Sequence, residues 1–209
     1  MQENQGLGGK MSDDKNTDIH APLRPATQVF AAYEVLVALC RCWEEARGDK
    51  MIPSKHDFEA VMLNYPEILP SMTMVELLAD GKLQYLFIGS ERVFQMNKDQ
   101  TRRGVESSFA VEAWKYTSDW MQASFEQPHV AFWKSRAHLP SGAIAQNNNL
   151  SVVLSDDSGV PRYTIIITVF DEAHANETTR GGYLIGSAGM EMSPIDIGYG
   201  VPDLPLRCP

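Results

Sequence analysis

Asp80-Gly81 sits between two apolar runs of strand length, Met72–Ala79 and Leu83–Ile88, and no other feature constrains the fold of this chain as strongly. Asp-Gly readily adopts the positive φ angles that a tight reversal between twisted strands requires, so the segment predicts a β-hairpin. An isolated hairpin is at best marginally stable in water, and further strands or helices have to cover it.

Three more runs supply strands: His129–His138, Asn149–Ser155 and Val160–Asp171. Asp156-Asp157-Ser158-Gly159 predicts a tight reversal between the last two. In the last run Tyr163, Ile165, Ile167 and Val169 share one face, while Arg162, Thr164 and Thr168 mostly point the other way. That alternation describes an antiparallel sheet with one covered face and one wetter face.

Helical patterns fill the intervals. Phe30, Tyr33, Leu36, Val37, Cys40 and Trp43 recur every three or four residues and predict an N-terminal amphipathic helix stopping near Gly48. That stripe either docks on its own domain or is buried by a second copy or partner. Residues 52–58, Ile-Pro-Ser-Lys-His-Asp-Phe, lead into a short helix ending before Pro66, with Asp57 as its cap. Gly89 ends the second hairpin strand, and Ser90 is placed to cap a helix through Met96. Ala110, Ala113, Trp114, Thr117, Met121, Ser124 and Phe125 then follow the helical period, widened by Trp120 and ended by Gln127-Pro128.

The expected organisation is a disordered tail over 1–27, the N-terminal helix over 28–50, a folded domain over 51–172 and a flexible C-terminal tail over 173–209. Pro194, Pro202, Pro205 and Pro209 oppose a continuous helix or central strand in that tail. A short docking segment at Tyr183-Leu184-Ile185 is the lesser alternative.

Composition narrows the function classes. A hydrophobic fraction of 44% excludes disorder along the whole length. The formal charge of −9 argues against nonspecific nucleic-acid binding, which needs clustered Lys and Arg. No apolar run is long enough for a membrane span, and no signal peptide opens the chain, so a cytoplasmic protein is expected. Cys40, Cys42 and Cys208 read as reduced packing thiols, because Cys40 and Cys42 point to different sides of one helix.

A search for chemistry finds no catalytic constellation. His129 and His138 are nine apart on one strand and so face opposite ways, while His20, His56 and His174 fall in tails or a loop. Glu44-Glu45 belong to a solvated helix side, and Asp156-Asp157 to a turn. No metal site and no required cofactor follow from the sequence, and the chain reads as non-enzymatic.

Ile52-Pro53-Ser54 before Asp57-Phe58, the hairpin ending in Phe87-Ile88-Gly89-Ser90, and the following Asp99-Gln100-Thr101 resemble the bacterial single-PAS family. That family combines an Ile/Leu-Pro-Ser/Ala-Arg/Lys opening, a strand ending in Val-Gly-Thr and a Gly-x-Asp-x-Thr-Gly turn. Asn97 stands where the first Gly of the turn is expected and Arg102 where the last would fall; Asn tolerates left-handed backbone, Arg does so poorly. The resemblance covers about residues 51–172. It implies an α+β fold with a five-stranded antiparallel sheet and helices inserted between strands 2 and 3. It also implies signal reception or protein recognition; with the N-terminal helix stripe, the expectation is a stand-alone sensor acting by small-molecule or protein binding, with a homodimer or protein client as partners.

A ligand would lie between sheet and helices, with Phe87, Phe94, Trp114, Trp120, Phe132 and Tyr163 as candidate walls. Two other classes remain open. One is a cone-shaped α+β isomerase or lyase with an apolar pocket, in which His129 or Asp119 acts as base. The other is a purely structural interaction domain.

Overall fold

The computed structural model describes Leu23 and residues 30–171 and 183–208; His20, His174 and the rest of the expected N-terminal tail lie outside the described residues. The elements run α1 (Glu34–Arg47), α2 (Lys55–Met62), a 3-10 turn (Pro66–Ser71), β1 (Met72–Leu77), β2 (Leu83–Ile88) and α3 (Ser90–Met96). A second 3-10 turn (Val105–Ser108), α4 (Val111–Glu126), β3 (His129–His138), β4 (Ile144–Ser155), β5 (Pro161–Phe170) and β6 (Leu184–Asp196) follow. The strands form one antiparallel sheet in the order β2-β1-β5-β4-β3-β6.

The hairpin forms where expected. Gly81 takes φ 80° in the reversal, and its N–H donates to the Leu78 carbonyl at 2.9 Å. β1 then pairs with β5, opposing Met72 to Ile167 and Met74 to Ile165. Strands from both ends of the domain therefore share one sheet.

The two faces of that sheet differ in chemistry. On one face Phe132, Leu150, Ile167 and Met72 oppose one another across four strands, an unbroken apolar row. Fully burying such side chains contributes about 1.5–3 kcal/mol each. The N-terminal region covers this face. Phe30 stacks at 5.7 Å from Phe132, Trp43 donates through Nε1 to the Val153 carbonyl at 2.9 Å, and Lys55 lies over the Tyr163 ring. Phe30, Leu36, Cys40 and Trp43 are thus buried in their own chain, while Tyr33 and Val37 stay half-buried. Of the two alternatives for that stripe, docking on its own domain is the one observed: the domain's own sheet occupies it, not a second copy or partner.

The opposite face carries Thr73, Trp133, Ser135, Asn147, Asn149, Thr164 and Thr168, and these too are buried. The sequence marks this as the wetter face; α4 covers it instead, placing Thr117, Trp120 and Met121 against it. Polar side chains on a strand therefore do not here mean exposure to solvent.

The sheet has six strands rather than five, and residues 184–196 are not a loose tail. β6 pairs with β3 and with no other strand, so Pro194 sits on an edge strand, where its missing N–H is tolerated. Its register jumps between Lys134↔Glu191 and Arg136↔Gly186, and Gly189 takes φ 71° there. The jump breaks the period-two pattern and hides the strand from a sequence reading. β4 likewise begins at Ile144, ahead of the Asn147–Asn149 run.

Both outer edges are partly covered. On β2, the Tyr85 N–H donates to the Arg103 carbonyl at 3.0 Å and the Tyr85 carbonyl accepts from the Arg102 N–H at 2.8 Å. On β6, the Met192 N–H donates to the Leu206 carbonyl at 2.7 Å and the Met190 carbonyl accepts from the Cys208 N–H at 3.1 Å.

Helix ends differ in detail from expectation. Ser54, not Asp57, caps α2; Asp57 occupies the third helical position and completes a capping box. Gly89, not Ser90, is the N-cap of α3. Asn97 and Arg102 both adopt positive φ, 52° and 68°, so left-handed geometry occurs at the two positions where the single-PAS pattern has glycine. Gly104, at φ −65°, takes no part in that geometry.

Candidate functional site

The buried polar face between sheet, α3 and α4 is the candidate site. Cross-strand register sets it out in rows: Trp133, Asn149 and Thr168 oppose one another, as do Ser135, Asn147 and Phe170. Thr168 Oγ1 donates to Asn149 Oδ1 at 2.8 Å, and Asn149 Nδ2 donates to the Trp133 carbonyl at 3.2 Å and Ser135 Oγ at 3.4 Å. Asn149 is thereby locked in one orientation.

A second network closes the β2 end. Burial raises the Tyr85 hydroxyl pKa, and this protonated group donates to Ser108 Oγ at 2.8 Å. Gln100 donates to the same oxygen at 3.3 Å and accepts from Ser107 Oγ at 2.7 Å. Asp99-Gln100-Thr101, read above as a family turn, thus brings Gln100 into the interior.

Arg92 of α3 is the charged member. It is 5% exposed, lies over the rings of Phe170 and Tyr183 at 5.2 and 5.3 Å, and donates to Gln95 Oε1 at 2.7 Å and Tyr183 Oη at 2.9 Å. None of the ion pairs among the described residues includes it.

Satisfaction is incomplete on this face. Arg92 Nε, Thr164 Oγ1 and both side-chain polar atoms of Asn147 are buried without a hydrogen-bond partner among the described residues. Each such group costs about 1–3 kcal/mol. Arg92 and Thr164 each border a void, while Asn147 borders neither of the two. One of about 30 Å³ is bounded by Arg92, Thr73, Tyr85, Asn149 and Thr168 among others; one of about 20 Å³ is bounded by Thr164, Ser124, His129 and Trp120 among others. Thr117, Met121, Trp133 and Ile166 belong to both, so the two are neighbours.

The six aromatic residues proposed as walls do not converge. Phe94 is 85% exposed and Phe87 37% exposed. Trp114 is half-buried against Phe109 at 5.6 Å. Phe132 and Tyr163 lie on the apolar sheet face beneath the N-terminal region. Of the six, Trp120 is the one that borders either of these two voids, edge-on to His129 at 5.7 Å and donating through Nε1 to the Pro205 carbonyl at 3.1 Å. The polar residues that border the voids are Thr, Ser, Asn, Tyr, His and Arg, set among Met, Val, Ile and aromatic side chains. The available signal was Asn147-Asn148-Asn149 running into a strand, together with Thr164 and Thr168 opposite.

His129 is 1% exposed and its pKa is lowered by burial. Its Nδ1 lies 2.9 Å from the Gln127 carbonyl, so Nδ1 carries the proton. Asp119 instead borders a surface groove of about 290 Å³ between α4 and the C-terminal segment, with Tyr116, Trp120, Leu204 and Pro205. The described hydrogen bonds do not join these two candidate bases. Among the described residues no group of three or more His, Cys, Asp or Glu is placed to hold a metal, and no helix is long and apolar enough to cross a membrane.

No protein-family model matches this chain, and no curated protein matches it. Among solved structures it is similar to a chain from the Vibrio cholera VqmA–ligand–DNA complex, with a TM-score of 0.41 and 11% identity over 52% of this chain. The match spans 50% of that chain, a likeness too loose to add to what the sheet itself displays.

Proposed function

We propose that this protein is a PAS-type regulatory domain that binds a small molecule or client between its sheet and helices α3 and α4, without catalytic output of its own. The observation that carries the reading is the polar sheet face, which is buried, organised by Asn149 and Gln100, and left short of partners at Arg92, Asn147 and Thr164. Interiors built only for stability satisfy such groups or replace them with apolar ones. The hairpin joined to β5, with α3 and α4 inserted before β3, supports the PAS assignment.

A ligand acts by binding one arrangement of α3 and α4 against the sheet more tightly than another. Native mass spectrometry of the purified protein, before and after denaturation, tests this. A retained small molecule or a stable client complex is expected. A bare chain that also gains no thermal stability from any member of a metabolite panel would overturn the reading.

A further inference from the structure

We propose that Arg92 makes the void beside it an anion site, and that the ligand presents a small carboxylate there. The inference rests on the interior being a binding site and names the chemistry of what enters it.

Arg92 is a cation held 5% exposed, and the described ion pairs leave its charge unbalanced. Gln95 and Tyr183 accept from its terminal nitrogens, and both are neutral oxygens. The flanking Phe170 and Tyr183 rings stabilise the guanidinium and hold its plane, and they fix where its remaining donors lie. Nε has no acceptor. A buried, immobilised guanidinium with a free N–H is matched by an oxyanion, which takes that donor and balances the charge together.

Size selects among anions. About 30 Å³ is room for roughly two waters, so the group that enters is small, and a planar carboxylate suits both that space and the flat guanidinium. Thr73 and Tyr85 border the same void and give it hydroxyl-bearing walls. Met121 and Thr117 separate it from the second void, so a longer acid extends past Met121 only if that unbranched side chain turns aside. A divalent cation is excluded by the charge of Arg92.

The probe is sodium acetate on the full chain, with sodium chloride at equal ionic strength as reference. The expected result is a saturable rise in unfolding temperature with acetate, at least tenfold weaker in Arg92→Gln. No rise beyond chloride in the unsubstituted protein overturns the proposal, as does equal saturation in Arg92→Gln. Should that variant not fold, ¹³C-acetate NMR on the unsubstituted protein decides: contacts to Tyr85 ring protons support the site, and their absence overturns it. A neutral molecule retained equally by protein and variant in native mass spectrometry would overturn the anion site and leave the binding domain standing. No retained molecule or client, and no stabilisation by acetate or by any member of the metabolite panel, would overturn both.

Discussion

The indole Nε1–H of Trp43 donates to the backbone carbonyl of Val153 at 2.9 Å, tying the last turns of α1 to an inner strand 110 residues away. Trp43→Phe keeps much of the apolar contact and removes the donor. We expect a loss of about 1–2 kcal/mol, the usual net value of one buried hydrogen bond with some packing. Urea unfolding followed by far-UV circular dichroism measures it; an unchanged midpoint would show that the tie contributes nothing.

Arg102 at φ 68° carries backbone strain that a glycine would not. Left-handed geometry costs an L-residue about 1–2 kcal/mol, part of which glycine returns through its freer unfolded chain. Arg102→Gly is expected to stabilise the protein by about 0.5–1 kcal/mol. The comparison with Arg102→Ala, which keeps the strain, isolates the backbone effect.

Gly89 is constrained by space, not by φ, which is −65°. A Cβ there would run into the backbone carbonyl oxygens of Leu69 and Pro70. Both obstacles are backbone, so Gly89→Ala has to displace the 3-10 turn from the start of α3. A loss of about 1–3 kcal/mol is expected, read from thermal and urea midpoints. A neutral substitution would mean that the turn yields freely.

Burial lowers the pKa of His129 below its ordinary 6.5. The unfolded chain therefore takes up a proton that the folded protein resists. Its contribution to stability is complete above about pH 6.5 and is lost as pH falls toward the folded value. Stability should decline between pH 7.5 and 5.5, and His129→Gln should decline less over the same interval. Parallel profiles would assign the pH dependence elsewhere.

Burial, with Glu44 and Glu45 nearby, pushes the thiols of Cys40 and Cys42 up to about 12. Thiol-disulfide reagents at neutral pH should therefore modify the half-buried Cys208 first. Cys40 and Cys42 should react only on unfolding, when their thiolates form and become accessible. Rapid modification of all three in native protein would contradict the docking of α1.

Much of the fold was legible because local chemistry and tertiary structure agree. Asp80-Gly81 made the turn, the 3.6 period in 111–126 made α4, and β3 spans the expected His129–His138. β6 was not legible because its register jump and Pro194 erase the alternation that marks a strand. The site was misread for a related reason. Large aromatics were assumed to mark an interior, yet Phe94 faces solvent and Phe132 packs under the N-terminal region. The polar face was taken as wet because sequence alternation reports side-chain direction and says nothing of what lies above it. Arg92 gave no signal, since only the three-dimensional arrangement leaves it without a carboxylate partner among the described residues.

The backbone contacts along β2 and β6 have a consequence for assembly. Residues 102–103 at one margin and 206–208 at the other already occupy hydrogen-bonding positions that an incoming strand would use. A second chain recruited by β-augmentation would first have to peel one of these segments away, which slows nucleation of any fibrillar stack. Contacts through exposed helix side chains such as Phe94 and Val111 carry no such barrier. Association of this protein is therefore steered from ladder extension toward docking of its helical surfaces.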